Sequence, residues 1–167
     1  GTSWAGLFSA FGYETILYDP KKEAIDQATR QIKGVWSSLE KLQGKLENKK
    51  QIKTVNELDE LKECSLLQEN CPEDLYLKRK LILELENIVS GDTIIASSTS
   101  SFLPSELQEG SKHPERIIVG HPMNPPHLIP LVEIVTGEIN SQKILKRANN
   151  FYLSLHRMPV FVKKEMR

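Results

Sequence analysis

From one end of the chain to the other, short β-prone runs alternate with stretches whose apolar residues recur every three or four positions. Two parallel strands cannot be joined by a tight turn, so this alternation predicts a mostly parallel sheet with helices crossing over its faces. The helical stripes are Trp4, Leu7, Phe8 and Phe11, stopped by Gly12; then Ile25, Ala28, Ile32, Val35, Trp36, Leu39, Leu42 and Leu46. A third, Leu77, Leu81, Ile82, Leu85, Ile88 and Val89, has Pro72 in its first turn and ends at Gly91, and Ser141 to Leu155 reads as a last helix. Between them, Tyr13 to Tyr18, Ile52 to Val55, Ser65 to Glu69, Thr93 to Ser97, Ile117 to Gly120, Leu131 to Val135 and Val160 to Val162 read as strands. A short helix is expected over Asn56 to Glu63, capped by Asn56, and another around Pro104 to Leu107. His121 to Pro130, with four prolines, reads as a stiff nonhelical loop.

Composition narrows the class. At 167 residues and 39% apolar, the chain is long enough for one core without a staple. Its 22 basic and 22 acidic residues balance, which argues against nucleic acid as the main partner. No apolar run approaches the roughly 20 residues of a membrane span. The two cysteines, Cys64 and Cys71, have no zinc spacing, so no metal site is expected, and they suit a reducing, cytoplasmic setting. Both read as packed thiols.

Open parallel sheets place ligands beyond the carboxyl ends of their strands, where Asp19, Glu73, Ser100 and His121 fall. In a dinucleotide-binding strand-helix-strand unit, a glycine loop opens the first helix and an acid about 20 residues on bonds the ribose hydroxyls. Gly1 precedes the first helix and Asp19 ends the next strand eighteen residues later, so Gly1 matches the last glycine of such a loop. The alternative is that Asp19 merely opens a turn with Pro20. An acid here favours NAD over its phosphorylated form, a preference softened by Lys21 and Lys22.

The chemical groups cluster later. His121 leaves a buried strand, and Glu133 sits twelve residues on, after a nine-residue return that lets the next strand double back. A carboxylate that orients a histidine makes a general base for a hydroxyl proton near neutral pH. Ser100 offers a hydroxyl at the same sheet edge. Taken singly, a histidine is more often a structural donor and a serine-rich turn more often a cap.

Three stretches, ENCPEDLYLK (residues 69–78), ASSTSSFLP (96–104) and GHPMNPPHLIPLVEIV (120–135), together resemble the 3-hydroxyacyl-CoA dehydrogenase family. They are most similar to its lambda-crystallin branch, whose activity is L-gulonate 3-dehydrogenase. The resemblance runs from the Gly1 to Asp19 segment to the final KKE. It implies an α/β, Rossmann-type, doubly wound, mostly parallel sheet that binds NAD, with His121 as catalytic base, Glu133 as its partner and Ser100 contacting substrate and nicotinamide. Asp19 matches the ribose-binding acid, and Gly1, Glu73, Lys78 and Asn124 match positions lining the cofactor. Lys78, one turn beyond Glu73, can face the same site.

The implied reaction oxidises the 3-hydroxyl of a small hydroxy acid, with L-gulonate as the expected substrate. The acyl-CoA branch carries a serine and a lysine where Val35 and Leu42 stand here, and Ser98 replaces its usual asparagine. Of the basic residues in these motifs, only Lys78 is available for a substrate carboxylate. The alternatives are a 3-hydroxyacyl-CoA dehydrogenase, a carnitine-type enzyme, or a noncatalytic crystallin-like product. The resemblance further implies a homodimer. It also implies that residues 1–167 are one NAD-binding domain beginning at the last glycine of the loop, without the family's first strand and its C-terminal helical domain. Such a chain, made alone, is expected to aggregate, to bind NAD weakly or not at all and to lack turnover.

Overall fold

A computed structural model of the chain describes residues 1–162, and the KKE stretch lies outside them. In order come α1 (Thr2–Ala10), β1 (Thr15–Tyr18), α2 (Lys22–Gln43), β2 (Ile52–Val55), β3 (Leu66–Glu69), α3 (Leu75–Glu86) and β4 (Ile94–Ser97). They are followed by α4 (Pro104–Gln108), β5 (Ile117–Pro122), β6 (Leu131–Val135), α5 (Gln142–Ser154) and β7 (Met158–Val162). This is the expected α/β, doubly wound arrangement. Among the described residues only β5 and β6 pair antiparallel; the other ladders are parallel.

The strands form two sheets. β1 pairs with β2, and the remaining five run in the order β3-β4-β5-β6-β7. β1 and β3 do not pair with each other. Each turns an unpaired edge toward a cleft of about 670 Å³ that Thr15, Leu17, Leu66 and Gln68 help to line. Helices cover both faces. On one, α1, α2 and α5 bury Trp4, Leu7, Val35, Leu39, Ala148 and Tyr152 against Ile94, Ile118 and Ile134. On the other, Ile82, Leu85 and Leu107 from α3 and α4 pack on Ile95, Ile117 and Val119. The strictly alternating burial of β6 and the complete burial of β4 follow from these two layers.

α1 and α2 cross closely because position 6 is glycine: a Cβ there would lie 2.6 Å from Val35 Cγ1. The Trp36 indole locks the crossing by donating to Gly6 O at 3.1 Å and Ser9 Oγ at 3.0 Å.

Several local expectations are corrected. α3 starts at Leu75, not at Pro72, because the Asp74 carboxylate accepts the Leu77 amide at 2.9 Å and so caps the helix. It ends at Glu86, well before Gly91. The segment after β2 is a single 3-10 turn, Leu58–Leu61, without the Asn56 cap. Leu46 lies beyond the end of α2, which Gly44 closes at φ +85°. β5 runs on through His121 and Pro122 instead of ending at Gly120, because its ladder with β6 continues past them.

Candidate active site

β5 and β6 are antiparallel and place His121 directly opposite Glu133 in the register. Side chains of directly opposed residues share one face of the sheet, so the nine-residue return between the strands is what brings imidazole and carboxylate together. His121 Nδ1 lies 2.8 Å from Glu133 Oε2. The carboxylate accepts from Nδ1–H, which leaves Nε2 as the basic nitrogen. Both side chains are partly exposed, so the imidazole is open to solvent.

Ser100 lies just beyond β4, whose Ser97 is in register with Val119 of β5, so the serine and His121 project from the same end of neighbouring strands. Its turn is fixed by Glu73. One carboxylate oxygen, Oε1, accepts the Ser100 and Ser101 amides, both at 3.2 Å, and a short bond from the Thr99 hydroxyl. The other oxygen meets Lys78 Nζ at 3.3 Å. Burial opposes the charge on Glu73, but the Thr99 hydroxyl and the Lys78 ammonium outweigh it and hold its pKa below the usual carboxylate value. Glu73 precedes α3 and is not on the helix with Lys78. The pair meets nevertheless, because the capped start of α3 turns Lys78 back over the loop.

Lys78 is almost wholly buried, with its side chain 1% exposed. Its ammonium is also bound by Glu69, at 3.0 and 3.2 Å, and by the Cys71 carbonyl at 3.2 Å. Burial disfavours that charge, yet Glu69 more than compensates and raises the pKa. A lysine so engaged does not await a substrate carboxylate, which corrects the sequence expectation. Glu69 went unassigned from sequence, as did Ser97, whose hydroxyl donates to it at 2.5 Å. Burial and the Glu69 carboxylate push the Cys71 thiol up to about 12, so it is a thiol at neutral pH, and Cys64 is also raised by burial.

Gly1, Glu73, Lys78 and Asn124 line one cleft of about 350 Å³, together with Ser98 and Pro122. Asp19 lines the larger cleft, and Gly1, Trp4, Asn70 and Cys71 belong to both, so the two openings meet at the start of α1. Asp19 accepts the Lys21 amide at 2.8 Å and remains half-exposed. No side chain caps α1, whose first amide groups therefore lack a side-chain acceptor at the junction of the clefts. An uncapped helix start, an acid at the end of β1 and a polar cleft beyond β3 fit a dinucleotide's pyrophosphate, ribose and nicotinamide ends. Among the described residues no cluster of three or more metal-ligating side chains occurs.

Sheet, helix start and acid-bearing strand together define a dinucleotide-binding domain. Comparison with known proteins makes the class specific: residues 1–166 match the family 3-hydroxyacyl-CoA dehydrogenase, NAD binding domain, and the chain belongs to that family. NAD is accordingly its cofactor. The chain is 39% identical over 169 residues to an L-carnitine dehydrogenase of Oceanobacillus iheyensis, covering 99% of this chain and 55% of that protein. It is 35% identical over 173 residues to a lambda-crystallin homolog of Rattus norvegicus, covering 99% and 54%. Among solved structures it is similar to a 3-hydroxybutyryl-CoA dehydrogenase of Escherichia coli, with TM-score 0.84, 25% identity, and coverage of 96% of this chain and 35% of that one. The chain thus spans about half the length of the curated relatives it matches. The family is as the motifs implied, but the lambda-crystallin branch is not singled out, since several L-carnitine dehydrogenases match at higher identity.

Proposed function

We propose that the chain carries the NAD-binding and proton-transfer groups of a dehydrogenase that oxidises the 3-hydroxyl of a small, free hydroxy acid. The His121–Glu133 pair carries the reading, because a carboxylate-oriented imidazole at the sheet edge is what removal of a hydroxyl proton needs. His121 takes the proton at Nε2, Glu133 stabilises the resulting imidazolium, and the Ser100 hydroxyl donates to the developing carbonyl oxygen. When bound, NAD supplies the hydride acceptor. Asp19 holds the adenosine ribose, α1 the pyrophosphate through its amides, and Glu73, Lys78 and Asn124 border the nicotinamide end.

L-Carnitine is the first substrate to test, on the names of the relatives near 39% identity; L-gulonate is the second, on the lambda-crystallin resemblance. An acyl-CoA is disfavoured. Val35 is buried against Gly6 and cannot reach a ligand, and Leu42, 67% exposed, offers no charge to a coenzyme A phosphate. A homodimeric, cytoplasmic protein belongs to the same reading, on the family resemblance. The test is NADH formation with L-carnitine, L-gulonate, 3-hydroxybutyrate and 3-hydroxybutyryl-CoA, for the wild type and His121→Ala, each set in place of the matching half of an L-carnitine dehydrogenase because turnover is not expected of the chain alone. Turnover of a free acid that falls about 100-fold to 10,000-fold in the variant supports the reading. Turnover unaffected by the substitution, or confined to the CoA thioester, overturns it.

A further inference from the structure

We infer that Glu69 is a positioning residue: through Lys78 and Glu73 it sets the Ser97–Ser101 turn that presents Ser100. The inference deepens the function proposed above and rests on it for the role of Ser100, although the geometry stands alone.

Glu69 closes β3, and its side chain is only 1% exposed. A carboxylate at that depth is tolerable only when its lone pairs are used, and all the groups that use them belong to the site. Oε1 accepts the Cys71 amide at 2.5 Å and the Lys78 ammonium at 3.0 Å; Oε2 accepts the Ser97 hydroxyl at 2.5 Å and the same ammonium at 3.2 Å. The ammonium passes the constraint to Glu73, and Glu73 holds the Ser100 and Ser101 amides. The turn is therefore gripped twice. Glu69 holds its first residue by the hydroxyl, and Glu73 holds its far side by the amides.

The two carboxylates are not equivalent. Glu73 is 39% exposed in its side chain and water competes for it, whereas Glu69 is dry. With two carboxylates sharing one ammonium, the buried one anchors the cation and the outer one is adjustable. Removing Glu69 leaves Lys78 buried with the outer carboxylate of Glu73 as its counter-ion among the described residues, so ammonium and Glu73 relax together toward solvent. Ser100 then loses its fixed backbone, although no group touching it has been changed. Lys78 contributes nothing to the turn directly; its effect is to keep Glu73 where the amides need it.

Amide hydrogen exchange of the protein, read residue by residue by NMR, tests this without any ligand. In Glu69→Gln the Ser100 and Ser101 amides are expected to exchange at least tenfold faster, with Ile95 and Ala96 of β4 unchanged. Glu69→Asp, which keeps the charge and is gentler to the fold, is expected to show an intermediate acceleration confined to the same turn. Acceleration at Cys71 alone, or a uniform acceleration across β4, overturns the inference. NADH titration of the chimera used above, with the wild-type chain and with Glu69→Gln, is the separate arm. At least tenfold weaker binding in the variant supports the link to the site. A wild type that binds no NADH, with exchange still altered at Ser100 and Ser101, overturns the proposed function and upholds the positioning role.

Discussion

Gly120, next to His121, should be among the least substitutable positions in the chain. A Cβ built there would lie 2.1 Å from the Tyr152 hydroxyl and 3.1 Å from its Cζ. Tyr152 is fully buried, and its hydroxyl donates to Gln68 Oε1 at 2.7 Å. Burial pushes the pKa of that phenol far up, so it is always present as the neutral donor. Gly120→Ala must therefore displace the ring, break that bond, or shift β5. Overpacking of this kind costs about 1–3 kcal/mol. Leaving the part-buried Gln68 carbonyl unpaired adds about 1–2 kcal/mol. The expected loss is about 2–5 kcal/mol, read as a lower urea midpoint, and the Tm falls by about 2–4 °C for each kcal/mol in a domain of this size. Tyr152→Phe alone should cost only about 1–2 kcal/mol, for the stranded Gln68 carbonyl. In the Tyr152→Phe background the alanine no longer meets an oxygen, so its added cost should drop by more than half. Additive costs in the double variant would show that the glycine is required for some other reason.

Other expectations are simpler to state. Glu133→Gln should lower kcat substantially while leaving NADH affinity intact, because the carboxylate is bonded to His121; an equal loss in both would contradict its assignment. Asp19→Ala should weaken NADH binding by about 10-fold to 150-fold, the equivalent of about 1.5–3 kcal/mol of charge-assisted hydrogen bonding, measured by fluorescence titration. His127, 3.1 Å from Ser3 Oγ, has its pKa lowered by burial and then by the Arg157 charge. Its folded-state pKa lies below the unfolded value of 6.5, so the contribution is full above about pH 6.5 and is lost as pH falls through the folded value. Urea midpoints should decline as pH falls below about 6.5 in the wild type and decline less in His127→Gln; parallel curves would refute the assignment.

What could be read from the sequence was what is local or periodic. The α2 stripe of Ile25, Ile32, Val35 and Leu39 is buried as its spacing demands, and the β5–β6 return follows from loop length. Competing local signals went astray. Pro72 and Asp74 both announce a helix start, and the residue whose carboxylate reaches an orphan amide prevailed. His121 looked like loop because proline marks where a helix cannot run, not where an antiparallel ladder stops. The Lys78–Glu69 pair had no signal, since nine residues separate its members and a glutamate ending an apolar strand resembles any solvated strand end. The bond from Tyr152 to Gln68, 84 residues apart, exists only once two layers are packed. The positions of His121, Glu133, Ser100 and Asp19 on or after strands were legible because those strands are recognisable, and their relations are topological.

The divided sheet places the two ends of the candidate site on separate frameworks. Asp19 belongs with β1 and β2, whereas Glu73, Ser100 and His121 belong with the five-stranded sheet. Among the described residues no ladder crosses between them; apolar packing aligns them, through α1 on one face and through Val55, Ile16 and Tyr18 with Ile82 and Ile95 on the other, with side-chain bonds such as Trp4 to Ser98 and Tyr13 to Ser154.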